Sequence, residues 1–487
     1  MAGLLPPRPA ASATPLADVV SHIKKPPAAT LALPAGVLGA LAVVGAYRVG
    51  PLIPLVFAAA LAVAVTAFIR PIAVVYLAVA AVPLELYSLP VGSAIDLTVT
   101  KALLTIAAVA WVLKRLATGR LPVISDSPLT KPFGLLLLAL VPGVVLASDS
   151  VAAVKVLADW TVFFFLYQLI VEDGRPQTVR NLLMALALTG AVSGVTAITA
   201  THGATPVAAT GSSAPSRATA EFLSPNALGL LLAMALPSSI ALAIRGPRVL
   251  RPAAAAAAVL AAVGLALTLS RGAILAALAA LLLMLAWRSF RRVALVGAVA
   301  IVALAFLAPA TTSRLFPVKA ASERISSIPR AASGNPRWQI WRDALGQFAA
   351  HPIFGVGADN FRTRALGSQS ADPQFQESSA QGVAYSRFPP HAHNIALNVL
   401  VELGLLGLVA AGWLLVRVVR LVGHACRRGR GLDQALAFGV MAALAVVFLE
   451  GLVDYPLTDY TLAALVVILA ACAAVLARPG SDLPPQS

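Results

Sequence analysis

The sequence predicts an all-α fold, a polytopic bundle of about 14 membrane-spanning helices that is interrupted by one long extramembrane loop. Of the 487 residues, 59% are hydrophobic and only 11% are charged, whereas soluble proteins usually contain about 25% charged residues. The apolar residues also fall into runs of about 20, the length that crosses a bilayer as a helix. This composition excludes a soluble enzyme, and two cysteines are too few for a disulfide scaffold.

Apolar runs bounded by charged residues, proline or glycine define the individual spans. They predict about 11 spans within residues 31–309 and three within 394–477, separated by a long loop at 310–393. The proline-rich residues 1–30 and the short segment 478–487 are predicted to be disordered tails. The predicted spans are 31–47, 51–69, 71–87, 100–117, 132–148, 154–171, 179–200, 224–244, 252–270, 272–287, 293–309, 394–416, 434–452 and 460–477.

The distribution of basic residues predicts the orientation of the bundle. Of 36 lysines and arginines, 22 fall on the side of the two termini and five in short segments of the other side; the remaining nine lie in the long loop. Short cytoplasmic segments are enriched in basic residues, so both termini are predicted to be cytoplasmic. The net charge of +16 is therefore attributed to topology and membrane lipids, not to nucleic acid.

The long outer loop contains one well-defined element. Asn335 suits a helix N-cap and Pro336 the first helical position, and the apolar residues that follow recur at helical spacing. We expect an amphipathic helix along the membrane surface, ended by a turn at residues 351–357. The predicted apolar face consists of Trp338, Trp341, Leu345 and Phe348.

Basic residues on the outer side of short loops need a reason, because topology disfavours them. Lys155 has Asp159 four residues later as a helical ion-pair partner. Arg271 joins two spans with almost no loop and is predicted to face the bundle interior as a functional cation; the alternative is a snorkelling turn residue. Arg217 precedes a helix start, which favours an outer anion site, unless it only pairs with Glu221.

The span after the long loop begins with two histidines. His393 lies at the outer membrane surface and can take or give a proton near neutral pH. Asn394, Asn398 and Glu402 follow at helical spacing, a polar stripe that can equally serve to bond neighbouring helices. The His391-x-His393 spacing permits zinc, but the sequence shows no third ligand. We therefore predict no metal site.

Together these motifs resemble the O-antigen ligase/polymerase family. The ordered set, with the long outer loop just before His393, carries the resemblance over about residues 210–460. The matching segments are Arg217…Phe222…Ser224-Pro225-Asn226, Ser270-Arg271-Gly272, Arg337…Trp341, His351-Pro352-Ile353-Phe354-Gly355-Val356-Gly357, Asn360-Phe361, His393-Asn394…Glu402-Leu403-Gly404-Leu405-Leu406-Gly407 and Asp454-Tyr455-Pro456-Leu457.

The resemblance implies a bacterial inner-membrane glycosyltransferase of the glycosyltransferase C type, with its active site in the periplasm. Its donor would be an undecaprenyl-diphosphate-linked glycan and its acceptor a glycan or lipid A core. Membrane lipids and a chain-length regulator would be further partners. Arg217 and Arg271 would hold the diphosphate, and His393 would lie beside the transferred sugar. Further substrate-binding candidates are Ser270, Arg337, His391 and Asn394.

The chemistry of these residues agrees with such a reaction. Arginines bind phosphate oxygens and stabilise the negative charge that develops on a diphosphate leaving group. A histidine base can accelerate attack by the acceptor hydroxyl about 10²–10⁴-fold, although His393 can alternatively orient the acceptor or bind phosphate. The predicted outer loops contain no aspartate pair with the spacing of a metal-dependent transferase, so we expect inverting, metal-independent transfer without a cofactor.

Among the possible functions, we favour a surface-polysaccharide (O-antigen or exopolysaccharide) polymerase. The alternative within the family is a ligase that transfers the chain to lipid A core. A flippase for the same lipids, or a sensor or scaffold, are the alternatives of other classes. Transporters tend to have two similar halves and a site at mid-depth, whereas the candidate charges here cluster at one face.

Overall fold

A computed structural model shows a mostly helical protein. The predicted span 31–47 and most of the predicted span 293–309 lie outside the described residues. The residues that the structure describes are 52–85, 88–91, 95–124, 126–203, 218, 222, 224–285, 287, 291, 295, 297–299, 336–361 and 391–478.

The helices of the described residues follow the predicted spans closely. Six of them (α5, α6, α7, α8, α11 and α12 below) are long and apolar enough to cross a membrane, and several shorter apolar helices accompany them. The chain is therefore a multi-pass membrane protein, while the predicted total of about 14 spans stays a prediction. In chain order the helices are α1 (Leu52–Ile69), α2 (Pro71–Ala80), α3 (Val99–Ala117), α4 (Thr130–Leu146), α5 (Ser150–Asp173), α6 (Pro176–Gly203), α7 (Pro225–Arg245), α8 (Arg251–Thr268), α9 (Arg271–Met284), α10 (Pro336–Ala350), α11 (Ile395–Arg428), α12 (Gly431–Glu450) and α13 (Tyr460–Leu476).

A small β-hairpin corrects the all-α prediction and the span predicted at 71–87. Helix α2 ends at Ala80, and a 3₁₀ turn at Val82–Leu84 follows. Strands β1 (Ser88–Val91) and β2 (Ile95–Thr98) then pair antiparallel. Proline at position 83 has no amide hydrogen to continue the helix, which explains why the apolar run does not form one long span.

Helix α7 lies at the centre of the bundle and is buried along most of its length. It packs against α6, α8, α9 and α12. Helices α6 and α8 approach each other closely where two glycines meet, because a methyl group at Gly264 would lie 2.8 Å from the Cα of Gly194. Small residues at such crossings are typical of membrane helices. The central position of α7 fixes the place of its first turn, which enters the candidate site.

Helix α11 is broken at Gly404, where φ is +64° and ψ is −164°. The segment 351–361 inserts at the break and supplies the hydrogen bonds that a continuous helix would have made. The amide of Val356 donates to the carbonyl of Val401 at 2.9 Å, and the amide of Leu405 donates to the carbonyl of Pro352 at 2.9 Å. Satisfying these backbone groups inside the protein is what permits a broken helix at membrane depth.

Helix α10 begins at Pro336, as the proline predicted, and its buried face agrees with the predicted one at Trp341 and Phe348 but not at Leu345. Ala344 is fully buried, and the indole Nε1 of Trp341 donates to the carbonyl of Ala392 at 3.0 Å. Leu345, predicted on the apolar face, is 53% exposed. The helix is therefore turned so that Trp341 contacts the segment that carries the two histidines.

Asp159 of α5 pairs with a different lysine from the one predicted. Its carboxylate lies 2.9 Å from Nζ of Lys101 on α3, and both side chains are largely buried. The expected pair with Lys155 is replaced because Lys101 reaches the carboxylate from the neighbouring helix. Tertiary packing thus overrides the local i, i+4 spacing.

Candidate active site

Four helix ends meet at one end of the bundle and are joined by a chain of side-chain hydrogen bonds. Nδ1 of His393, just before α11, lies 2.9 Å from Oδ1 of Asp454, which follows α12. The amide Nδ2 of Asn226, in the first turn of α7, donates to Oδ2 of Asp454 at 3.1 Å. The hydroxyl of Ser270, the N-cap of α9, donates to Oδ1 of Asn226 at 3.2 Å.

Hydrogen bonds fix the backbone on both sides of His393. His393 adopts a left-handed conformation with φ +49°, a position that non-glycine residues occupy only at some cost. Asn394 caps α11 by accepting from the amide of Leu397 at 2.9 Å and donates from Nδ2 to the carbonyl of Leu452 at 3.0 Å. Oδ1 of the buried Asn398 accepts from the amide of Ala392 at 2.9 Å. These bonds hold the histidine in place.

The charge of Asp454 determines which nitrogen of His393 carries the proton. Burial acts to raise the pKa of Asp454, but the hydrogen bond and charge of His393, the charge of His391 and the amide of Tyr455 together lower that pKa to about 2. An ionised carboxylate only accepts hydrogen bonds. In the neutral imidazole of His393, Nδ1 is therefore the protonated nitrogen and Nε2 carries the lone pair.

His391 lies against this pair and stays neutral. Its Nδ1 accepts from the backbone amide of His393 at 3.2 Å, and its Nε2 lies 3.9 Å from Oδ1 of Asp454. Burial, and then the neighbouring charge of His393, lower the pKa of His391 to about 4 despite the opposing effect of Asp454. One nitrogen or oxygen atom from each of these three side chains lies within 4.8 Å of the others, an arrangement that a metal ion can occupy.

A buried polar layer lies below the histidines. Tyr455 donates its amide to Oδ1 of Asp454 at 2.8 Å, and its hydroxyl faces the amide of Asn398. Burial, followed by the charge of Glu402, raises the pKa of Tyr455. The carboxyl group of Glu402 in turn meets the backbone amides of Asp359 and Phe361, in the segment that inserts at the helix break. The break in α11 is thus connected to the candidate site.

Arg271 begins α9 directly after Ser270, at the same end of the bundle. Its side chain is exposed. The next residue, Gly272, contacts the carboxylate of Glu450, and a side chain at position 272 would overlap that carboxylate. The glycine therefore lets the start of α9 approach the end of α12, which places the arginine next to the hydrogen-bonded chain.

The structure brings Ser270, His391, His393 and Asn394 to one end of the bundle, with Arg271 beside them. Arg217 lies outside the described residues; Ala218, which follows it, donates its amide to the carbonyl of Leu267 near the end of α8, at 3.3 Å. Arg337 lies in the first turn of α10, and its side chain is outside the described part.

Sequence reasoning missed Asp454 and Asn226 as site residues, although both belong to motifs that carried the family resemblance. Asp454 is an acidic residue in a short loop on the predicted outer side, the same side as His393. That shared side was the signal that could have identified it. Asn226 sits two residues after the N-cap Ser224, a position that gave no such signal.

One comparison with known proteins gives a match in this region. The family model described as O-antigen ligase matches residues 256–412, which include most of α8, all of α9 and α10, and the first part of α11. Residues 256–412 are therefore similar to the O-antigen ligase family. The predicted resemblance is therefore confirmed. No curated protein matches the chain.

The family match supports a role for this chain as a membrane glycosyltransferase in the assembly of O-antigen or other surface glycans. The matched region contains Ser270, Arg271, His391 and His393. Asn226 and Asp454 lie before and after it. Two of the residues in the hydrogen-bonded chain thus come from outside the matched domain.

Proposed function

We propose that this protein transfers a glycan from undecaprenyl diphosphate to an acceptor hydroxyl at the periplasmic face of the bacterial inner membrane, as a surface-polysaccharide polymerase. The single observation that carries the proposal is the hydrogen bond of 2.9 Å between His393 and Asp454, next to the cation Arg271. A proton acceptor and a cation thus lie at the same end of the bundle, and this reaction needs both.

His393 acts as the general base. Because the N–H group at Nδ1 donates a hydrogen bond to Asp454, the lone pair on Nε2 is available for the proton of the acceptor hydroxyl. As that proton moves to Nε2, the hydroxyl oxygen forms a bond to the anomeric carbon of the donor sugar. The negative charge of Asp454 stabilises the imidazolium that results, as the carboxylate does in hydrolase triads.

Arg271 stabilises the leaving group, with Arg217 as the second cation of the proposal. The bond between the anomeric carbon and the phosphate oxygen breaks with its electron pair, and undecaprenyl diphosphate departs. A guanidinium group stays charged and binds phosphate oxygens bidentately, so the developing charge needs no protonation. Attack opposite the leaving group inverts the configuration at the anomeric carbon. No metal or other cofactor is required in this scheme.

The orientation follows from the sequence and is consistent with the fold. The four joined helix ends, at the starts of α7, α9 and α11 and the end of α12, all fall on the side that the basic residues predict to be periplasmic. A lipid-linked donor is accessible at that surface. Clustering at one end, not at mid-depth, also favours an enzyme over a flippase.

The test is deletion of the gene in its host, followed by gel analysis of the surface polysaccharide. If the protein is a polymerase, its loss is expected to leave only single repeat units on the acceptor. Full-length chains retained on the carrier lipid would instead identify a ligase for lipid A core. An unchanged polysaccharide would contradict the proposal in both forms.

Complementation with His393→Ala links the phenotype to the site. The variant is expected to express normally and to bind the lipid-linked donor, but to leave the deletion phenotype in place. Loss of donor binding would make His393 a phosphate ligand and not a base. A matched control is His424→Ala, because His424 lies in the second half of α11, far along the chain from the site.

A further inference from the structure

We propose that His391, His393 and Asp454 bind a zinc ion that inhibits the enzyme. The sequence offered only the two histidines, whereas the fold supplies a third ligand from a loop 61 residues further along the chain. Two imidazoles and one carboxylate are a common ligand set for zinc, with water in the fourth position.

Two of the three distances between the ligand atoms are near those around a tetrahedral ion, and all three ligand atoms lie within 4.8 Å of one another. Zinc lies about 2.0–2.2 Å from nitrogen and oxygen ligands, which places neighbouring ligand atoms about 3.4 Å apart in a tetrahedron. Oδ1 of Asp454 lies 2.9 Å from Nδ1 of His393 and 3.9 Å from Nε2 of His391. One distance is shorter and the other longer than the ideal value, each by about 0.5 Å.

The three side chains leave a path by which zinc can reach the site. Two of the ligands are His391 and Asp454. Both are mostly buried, with side chains 11% and 15% exposed, whereas the side chain of His393 is 27% exposed and gives the ion a path of entry.

Binding requires a proton shift in each ring. When Nε2 of His391 binds zinc, its remaining proton must lie on Nδ1. The hydrogen bond of 3.2 Å from the amide of His393 to that nitrogen is then lost. The ring itself must keep its orientation so that Nε2 still faces Asp454, and the backbone amide of His393 turns away from the protonated Nδ1 instead. His393 binds zinc through Nδ1 and carries its proton on Nε2.

Inhibition follows from that second shift, and this part rests on the proposed function. With a proton on Nε2, His393 has no lone pair for the acceptor hydroxyl. Zinc also takes the carboxylate oxygen that would stabilise the imidazolium. The reaction itself stays metal-free, and the ion acts only as a reversible inhibitor of the base.

The binding experiment uses the full-length protein in nanodiscs, stripped with EDTA and then exposed to Zn²⁺. After gel filtration, elemental analysis is expected to find one zinc per chain. His391→Ala and Asp454→Ala are each expected to weaken binding at least about 10-fold, by analogy with the loss of a metal-site residue. His424→Ala, outside the cluster, is expected to bind like the wild type.

The visible absorption of bound Co²⁺ tests the site in the wild-type protein, so this measurement does not depend on whether the variants fold. Co²⁺ bound to the wild-type protein is expected to give the intense visible absorption of a tetrahedral ion, and Zn²⁺ is expected to abolish it by competition. Absence of bound zinc in the wild type, or equal binding by all variants, would overturn the proposal.

Glycan transfer by the same samples separates this inference from the proposed function. Zinc is expected to stop transfer, and EDTA to restore it. Zinc bound at the three side chains without loss of transfer would overturn the inhibitory role. A stripped, zinc-competent protein that never transfers glycan would contradict the proposed function and leave the zinc site intact.

Discussion

Replacement of Asp454 by asparagine isolates the charge that we assign to the histidine. Oδ1 of asparagine can still accept from His393 and from the amide of Tyr455, which lie at 2.9 Å and 2.8 Å. The new Nδ2 would face Nδ2 of Asn226, but that amide can turn over, since the hydroxyl of Ser270 can accept as well as donate. The hydrogen-bonded chain therefore survives, and only the negative charge is lost.

The size of the effect follows from the geometry. A unit charge about 4 Å from the imidazolium stabilises it by about 4 kcal/mol at an effective dielectric constant of about 20. A hydrogen bond to a charged group contributes about 1.5–3 kcal/mol net. A loss of about 2–4 kcal/mol of transition-state stabilisation corresponds to a rate about 30-fold to 1,000-fold lower.

The assay is single-turnover transfer from a purified lipid-linked donor to an acceptor glycan, with the protein in nanodiscs. Asp459→Asn is the matched control, since Asp459 caps α13 from the same linker by accepting from the amide of Leu462 at 2.9 Å and asparagine caps equally well. The control is expected to retain wild-type rates. An Asp454→Asn protein that transfers as fast as the wild type would refute the base mechanism.

Three further predictions concern the cation, the helix break and pH. Arg271→Ala is expected to abolish transfer at normal expression and Arg271→Lys to restore little, because lysine lacks the bidentate fork; full transfer by the alanine variant would remove the arginine from the mechanism. Gly404 has φ +64°, and an added Cβ would overlap the carbonyl of Ile353, so Gly404→Ala is expected to lower the free energy of unfolding by about 2 kcal/mol or more in thermal unfolding. The control Gly412→Ala, where an added Cβ meets nothing within 4 Å, is expected to be neutral or slightly stabilising. The pKa of His391 falls from 6.5 to about 4 on folding, so the stability that its neutral form contributes is present above pH 6.5 and lost as the pH falls towards 4, by up to about 3 kcal/mol. His391→Gln is expected to flatten this pH dependence of the free energy of unfolding, and an equally steep loss in the variant would contradict the prediction.

The sequence predicted most of the helices in the described residues because hydrophobic burial in lipid imposes length and composition on each span. Ser224 caps α7 by accepting from the amide of Asn226, as its position before Pro225 predicted. The hairpin at 88–98 escaped notice because each of its strands has only four residues, while the apolar run before them predicts one span as far as residue 87.

Contacts between distant segments account for what the sequence did not predict. Asn226 and Asp454 are 228 residues apart, and no local spacing rule connects them. The break at Gly404 depends on the insertion of residues 351–361, so a glycine in an apolar run looked like an ordinary small residue. The bond of Asp159 to Lys101 likewise depends on a neighbouring helix.

The most direct measurement is a cryo-electron microscopy structure of the full-length protein in nanodiscs with a short-chain polyprenyl-diphosphate sugar. We expect the diphosphate to lie within hydrogen-bond reach of Arg271, with the anomeric carbon on the Nε2 side of His393. Donor density at the opposite end of the bundle, near the ion pair of 2.6 Å between Arg115 and Glu172, would contradict the proposed active site.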